Sequence, residues 1–475
     1  MPRVRTLALA ALLVAGCATN PVTGRSELAL ISEAQEIDMG RQYAEEVKQS
    51  IGLVEDAGLQ QYVSRLGMAL ARDSERPDIP WQFHVLDDAS INAFALPGGP
   101  VFITRGILTH MNSEAELVSV LGHEIGHITA RHSVQQMSRA QLANLGLGIG
   151  SIFSPTVAQY GQLISTGLGV LFLKYGRDAE RQADALGFKY MVADNYDPRE
   201  MADMFVTLQR TSPEGGRLPN WLSSHPDPGD REQVALQRAD SLSRDLSNAI
   251  RRRDEFLAQV DGLAFGVNPR EGFFRDALFL HPDLRFQIQF PRGWQFQNTK
   301  QAVMALSPNQ DAIIQLTAGQ ASPQSAAQQF FGAQGIQASQ VGSTTINGNA
   351  AVTGYFQAQT QQGPIAGLAV FLSHGDLTYQ LLGYTPAQRL RSYDAAFRQS
   401  FGSFARLTDR SALEVQPARV DLVRVPSRMT LAEFNRRYPS SIPLEQLAVI
   451  NGVATNGSFE AGTSVKRVTG GSTNP

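Results

Sequence analysis

Between residues 113 and 129 the apolar positions fall at Leu117, Val118, Val120, Leu121, Ile125 and Ile128, a spacing that lays one broad stripe along an α-helix. Ser113 with Glu116 three residues on predicts a capping box at its start. Upstream, the same periodicity predicts helices over 34–51 and 59–71 and a short sheet within 81–104. Downstream, 231–259 reads as a charged helical segment with Arg251, Arg252 and Arg253 on a solvated face. The run 142–173 is rich in Leu, Ile, Val and Gly, but Ser151, Ser154, Pro155, Gln159, Gln162 and Ser165 cut it into pieces of about a dozen residues, and a membrane span needs ~20. It predicts an apolar helical hairpin, or a surface that meets membrane or substrate.

From 276 to 407 strand-like alternation takes over, with strands over 286–290, 302–307 and 312–317 and a helix over 322–331. Asn347-Gly348-Asn349 and His374-Gly375-Asp376 mark turns between longer strands, and 385–404 closes with a helix. In 419–468, Thr430-Leu431 opens one helix, 444–452 forms a second, and 461–466 turns into a last strand. No self-similarity at a period of about 34 residues follows the helical part, so a tetratricopeptide array is not expected.

The helix over 113–129 carries polar residues that need a reason. His123 and His127 stand i, i+4, one above the other, so both imidazoles can grip one metal ion. Glu124 sits beside them, close enough to take a proton from a water activated there. A third ligand has to come from elsewhere, and Glu180 is the candidate, again i, i+4 from Asp184 on a second helix. Asp184 can hydrogen-bond the outer nitrogen of a ligand histidine and fix its tautomer. Taken alone, acidic residues among arginines read as a solvated face; joined to the histidine pair they read as a site.

At the N-terminus, Arg3 and Arg5 precede an apolar run over 7–14 that ends in Val14-Ala15-Gly16-Cys17, which resembles a bacterial lipobox. Cleavage before Cys17, acylation of its thiol and a linker over 17–27 are expected, with Ala18 favouring the outer membrane. Cys17 is the sole cysteine, so no disulfide is expected. With a formal charge of −3 and 43% hydrophobic residues, the composition gives no basic excess for nucleic acid.

Four segments together carry a resemblance: 92–99 (NAFALPGG), 121–132 with its HEIGH core and Ala130-Arg131-His132, Glu180 to Asp184, and Ser224-His225-Pro226 with Arg231. They resemble the CAAX-prenyl-protease-like family of zinc metallopeptidases, gluzincins with HExxH on one helix and ExxxD on the next, and within it the periplasmic lipoprotein branch. That resemblance covers the chain to about residue 265, and the patterns beyond it make the whole a multidomain α+β chain. A mainly helical metallopeptidase domain with a small sheet spans 28–265, and an α/β curved-sheet sandwich of the PsbP and Mog-one type spans 276–407. A small βααβ module resembling LysM spans 419–468, and a disordered tail ends the chain at 469–475. LysM modules often hold peptidoglycan, though here Ser427-Arg428-Met429 stands where that family has a Gly-Asp pair.

For the site, the resemblance implies one Zn2+ held by His123, His127 and Glu180, with Glu124 as general base. His225 would face the metal, either as a transition-state donor or as a reversible extra ligand that silences it. Arg231 would hold that segment or stabilise the oxyanion. Asn92, Ala93, Phe94 and Ala95 would be the edge strand along which a polypeptide substrate pairs. The implied function is an endopeptidase, lipid-anchored at the periplasmic side of the outer membrane, that cuts misfolded or unassembled envelope proteins. The alternative is an outer-membrane-assembly chaperone whose metal site is latent; a third reading, prompted by the LysM-like end, is a cell-wall enzyme.

Overall fold

The computed structural model describes residues 17–144, 175–211, 221, 225, 228–360 and 363–471. The expected signal segment 1–16, nearly all of the apolar run 142–173, Ser224, Pro226 and most of the tail lie outside the described residues. The chain divides into two compact units, one of residues up to Gly266 together with Ala418–Thr469, the other of Val267–Pro417 and the last residues.

The first unit opens with a two-stranded pairing of β1 (Cys17–Thr19) and β2 (Ser26–Leu28). Two helices follow, α1 (Glu33–Ile51) and α2 (Ala57–Arg72), started by Ser32 and Asp56, whose side chains accept from the backbone N–H of Gln35 and Leu59. A three-stranded sheet comes next, with β3 (Gln82–Leu86) parallel to β5 (Pro100–Thr104), and β4 (Ala93–Ala95) antiparallel to β5 on one edge.

After the short α3 (Arg105–His110), α4 (Glu114–Thr129) is buried along its whole length. Ser113 caps it, accepting from Glu116 N at 3.0 Å. The reciprocal half of the expected capping box is missing, because the Glu116 carboxylate accepts from Asn112 N at 2.7 Å instead. The Ser113 hydroxyl meanwhile donates to Glu200 at 2.5 Å.

The chain continues through α5 (His132–Asn144), α6 (Arg177–Ala193), α7 (Glu200–Arg210), α8 (Pro228–Asp240) and α9 (Arg253–Val260). The crossing of α4 and α6 positions the site, and it is made by glycines. A Cβ on Gly187 would lie 2.9 Å from His123 N, and one on Gly126 would lie 3.0 Å from Ala183 O. Gly122 faces Gly187 at the same place, so the two backbones touch where side chains would hold them apart. Around the crossing Leu117, Val118, Leu121, Ile125, Leu186, Tyr190 and Met191 are buried in one core, each worth roughly 1.5–3 kcal/mol of transfer free energy.

Two expectations change here. The segment 231–259 is two helices, α8 and α9, separated by twelve residues of loop and turn. The arginine triplet is solvent-exposed at Arg251 and Arg252, but these two precede α9 and are tied to buried carboxylates: Arg251 pairs with Asp197 at 2.7 Å, Arg252 with Glu114 at 2.9 Å, and the less exposed Arg253 donates to the carbonyls of Asn112 and Ser464. The reason is that the side chains of Glu114 and Asp197 are only 1% exposed and need counter-charge.

Residues 418–469 form a small body whose strands Ala418–Arg424 and Ser464–Gly470 pair, with helices Leu431–Arg437 and Leu444–Ile450 between them. Its core holds Val420, Leu431, Phe434, Leu447, Ile450 and Val465. This body is joined to the rest of its unit by polar contacts. The fully buried Lys466 donates from Nζ to the carbonyls of Thr109 and Met111, at 3.1 and 2.5 Å, just before α4 begins.

The second unit contains a seven-stranded antiparallel sheet ordered Ile336–Ile346, Asn349–Thr360, Gly363–His374, Leu377–Pro386, Ile313–Gly319, Val303–Leu306, Gln295–Asn298. A four-stranded sheet contains Phe273–Arg275, Leu278–His281 and Phe286–Gln289. Helices Pro323–Phe331 and Leu390–Gly402 complete it. The last helix starts at Leu390 and not near 385, because Thr385 and Pro386 finish a strand paired to Ala366 and Ile365. Among the described residues no helix is long and apolar enough to cross a membrane.

Candidate metal centre

The helical repeat puts His123 and His127 on one face of α4, and the glycine crossing brings Glu180 of α6 against them. His225 completes the group. One ligand atom from each of these four buried residues lies within 4.8 Å of all the others. The Nε2 atoms of His123 and His127 are 3.0 Å apart, and His123 Nε2 is 3.2 Å from His225 Nδ1. Glu180 reaches His225 Nδ1 at 3.0 Å and both His123 Nε2 and His127 Nε2 at 3.6 Å.

Burial drives the charge states. Desolvation pushes His123 down and His127 well down from the ordinary imidazole range, and takes His225 to about 4, so all three rings are neutral near pH 7. The same desolvation pushes Glu180 and Glu124 each up to about 7, although His123 and Arg231 pull the first down and His225 pulls the second down.

Asp184 goes the other way. Burial alone would raise it, but the Arg231 charge and the hydrogen bonds from Arg231 and His123 hold it well below the usual carboxylate range. Arg231 is bidentate on Asp184 at 2.7 and 2.8 Å, and a third nitrogen lies 3.2 Å from Glu180. His123 Nδ1 is 2.9 Å from Asp184 Oδ1, so that nitrogen holds the proton and Nε2 keeps its lone pair.

Imidazole nitrogens and a carboxylate crowded at these distances are a set of donor atoms that a cation would satisfy. Glu124 Oε1 is buried without a hydrogen-bond partner among the described residues, 3.7 Å from His225 Nε2. The donor set therefore fits a metal ion, with one free carboxylate oxygen beside it.

Of the sequence candidates, His123, His127, Glu180, Glu124, Asp184, His225 and Arg231 come together. Ala93 to Ala95 lie in the sheet-edge strand, with Phe94 turned inward onto Phe102 at 5.3 Å, so what that strand can offer a substrate is backbone. Asn92 Oδ1 is buried and unpaired among the described residues. Cys17 opens β1 opposite Leu28 and is not one of the clustered residues.

Sequence reasoning missed several neighbours. Trp221 stacks on His225 at 4.8 Å, and its backbone N–H donates to Ile91 just before the edge strand. Arg231 lies 4.9 Å from the Trp221 ring and 4.5 Å from that of Phe205. Tyr175 stacks on His127 at 4.0 Å. His132, quoted above only as part of a motif, touches His127 directly. Only the rarity of tryptophan, three in the chain, offered a signal for any of these.

Comparison with known proteins agrees with this geometry. The sequence profile of Peptidase family M48 matches residues 57–239, which include α4, α6, His225 and Arg231. The chain is 30% identical over 234 residues to the beta-barrel assembly-enhancing protease of Escherichia coli K12, covering 47% of this chain and 48% of that one. It is 30% identical over 188 residues to the mitochondrial metalloendopeptidase OMA1 of Arabidopsis thaliana, covering 39% and 37%. The chain thus spans about half the length of the first of these relatives. Among solved structures, a cyanobacterial PsbP from Synechocystis sp. PCC 6803 is similar over 28% of this chain and 94% of that one at 12% identity and a TM-score of 0.24. The HExxH and ExxxD helices cross at one buried donor cluster inside the segment, residues 57–239, that is similar to Peptidase family M48.

Proposed function

We propose that the chain is a zinc-dependent endopeptidase with Glu124 as general base. The observation that carries this is the spacing of the donor atoms. A tetrahedral ion with bonds of ~2.0–2.1 Å needs ligands about 3.3 Å apart; the distances of His123 to His127, Glu180 and His225, and of Glu180 to His127 and His225, run from 3.0 to 3.6 Å, and all four ligand atoms lie within 4.8 Å of one another. Imidazoles with one carboxylate are also the ligand types zinc prefers. When bound, zinc would acidify a water and polarise the scissile carbonyl.

The chain's own groups do the rest. Glu124 Oε1 is free to take the water's proton and pass it to the leaving amine, so no covalent enzyme intermediate is needed. Asp184 fixes His123 with Nε2 bare, and Arg231 keeps Asp184 ionised. Substrate would pair its backbone along the edge strand 93–95, beside Asn92.

His225 occupies the fourth position, which a catalytic site keeps open for water and substrate. We read it as the reversible extra ligand, so turnover requires that its imidazole give up that position. The single test of the reading as a whole is Glu124→Gln: metal content stays at one zinc per chain while casein cleavage is lost. Undiminished cleavage by that variant would refute it.

The name of the Escherichia coli relative supports a role in envelope protein quality control, and the lipobox-like Val14 to Cys17 supports lipid anchoring at the outer membrane. A His225-closed site is also what the chaperone reading needs. If Glu124→Gln restores the phenotype of a deletion strain, the chaperone reading holds instead. Peptidoglycan as a partner of 419–468 is tested by binding to purified sacculi.

A further inference from the structure

His132 opens α5 and takes no part in the mechanism above. It is 4% exposed, its Nδ1 lies 2.9 Å from His127 Nδ1, and its Nε2 lies 3.1 Å from Oε1 of Gln182 on α6. The two rings meet edge to face with centroids 4.9 Å apart.

A neutral imidazole has one N–H and one lone pair. The Gln182 carbonyl oxygen has lone pairs only, so the His132 proton sits on Nε2 and Nδ1 is left to accept. His127 must then be the donor through Nδ1–H, which leaves bare its Nε2, the atom in the donor cluster. With the His132 proton on Nδ1 the outcome reverses: His127 would accept there and carry its own proton on Nε2, where no metal could bind.

We propose that Gln182 and His132 form a relay that fixes the tautomer of His127, making His132 a positioning residue of the metal centre. His123 is oriented by a carboxylate and His127 by a neutral imidazole, so the two ligands of one motif are held by different chemistry. The relay rests on the reading of the cluster as a metal centre.

The test is the affinity of the purified full chain for zinc, measured by chelator competition, in His132→Leu, His132→Asn and Gln182→Glu. The Asn amide oxygen reaches the place of Nδ1 and restores an acceptor; Leu has the bulk without it. Expected are a ~10–100-fold loss in His132→Leu, recovery to within about threefold of the parent in His132→Asn, and affinity equal to or above the parent in Gln182→Glu. Equal losses in the Leu and Asn variants, or none in Leu, would overturn the relay. Should His132→Leu fail to fold, Gln182→Leu on half-buried α6 replaces it, and affinity equal to that of Gln182→Glu would overturn the relay as surely. A parent chain that takes up no zinc would instead overturn the metal-centre reading itself.

Discussion

Replacing Asp184 by Asn changes no shape and removes one charge at the point where two ligand helices are tied together. Asp184 Oδ1 accepts from His123 Nδ1 at 2.9 Å and from Arg231 at 2.7 Å, while Oδ2 accepts from Arg231 Nε at 2.8 Å. An amide keeps the Oδ1 contacts but sets its NH2 against the Arg231 Nε–H. Removing one partner of a buried pair costs about 3–5 kcal/mol. Arg231 retains Glu180 at 3.2 Å, so the loss belongs near the lower end, ~3 kcal/mol.

The effect on the metal is separate and larger in consequence. Arg231, left with Glu180 as its nearest counter-charge, draws that ligand's electron density away, and His123 loses its anionic acceptor. Zinc affinity is expected to fall by ~10–100-fold. Urea unfolding of the metal-free protein measures the first number and chelator competition the second. Stability within ~0.5 kcal/mol of the parent, together with affinity within about twofold, would refute both the buried-pair and the orienting roles.

Other outcomes follow from single features. In His225→Ala casein cleavage should rise if that side chain closes the site; a fall would make it the transition-state donor. Gly187→Val would drive side-chain carbons into His123 N, 2.9 Å from the glycine's Cβ position, so zinc uptake should be abolished in a chain that remains folded by circular dichroism; normal uptake would mean the crossing is not close-packed. His110 lies outside the metal centre, and burial, reinforced by the nearby Lys466, depresses it to about 4. The unfolded chain therefore binds more protons between about pH 4 and 6.5, so the contribution is present above that window and lost as pH falls through it, by ~2 kcal/mol at pH 5. The stability difference between parent and His110→Phe should shift by that amount between pH 7 and pH 5, and a constant difference would count against it.

The local parts of the site were legible because helical periodicity alone places His123 over His127 and Glu180 over Asp184. That the two pairs meet depends on Gly122, Gly126 and Gly187, whose value lies in what they lack and shows only when two backbones are brought together. Arg251 to Arg253 misled for a related reason: their partners Asp197 and Glu114 are more than fifty residues away, and a charge run looks the same whether it faces water or a buried carboxylate. His132 was visible as a letter in a motif, but its role depends on Gln182, fifty residues on. In the second unit, turn chemistry marked the hairpins at Asn347-Gly348 and His374-Gly375, but the start of the closing helix was misplaced and the short strands Phe273–Arg275, Leu278–His281 and Gln295–Asn298 were not foreseen.

The unit that holds the donor cluster is discontinuous along the chain: Lys466 reaches back to the carbonyls of Thr109 and Met111 after an intervening unit of some 150 residues. A ribosome must therefore translate past Lys466 before the loop leading into the HExxH helix has this contact. Newly made chains would pass through a period in which the helices of the donor cluster exist but the loop before them is unsecured, and a completed metal centre would arrive late in synthesis.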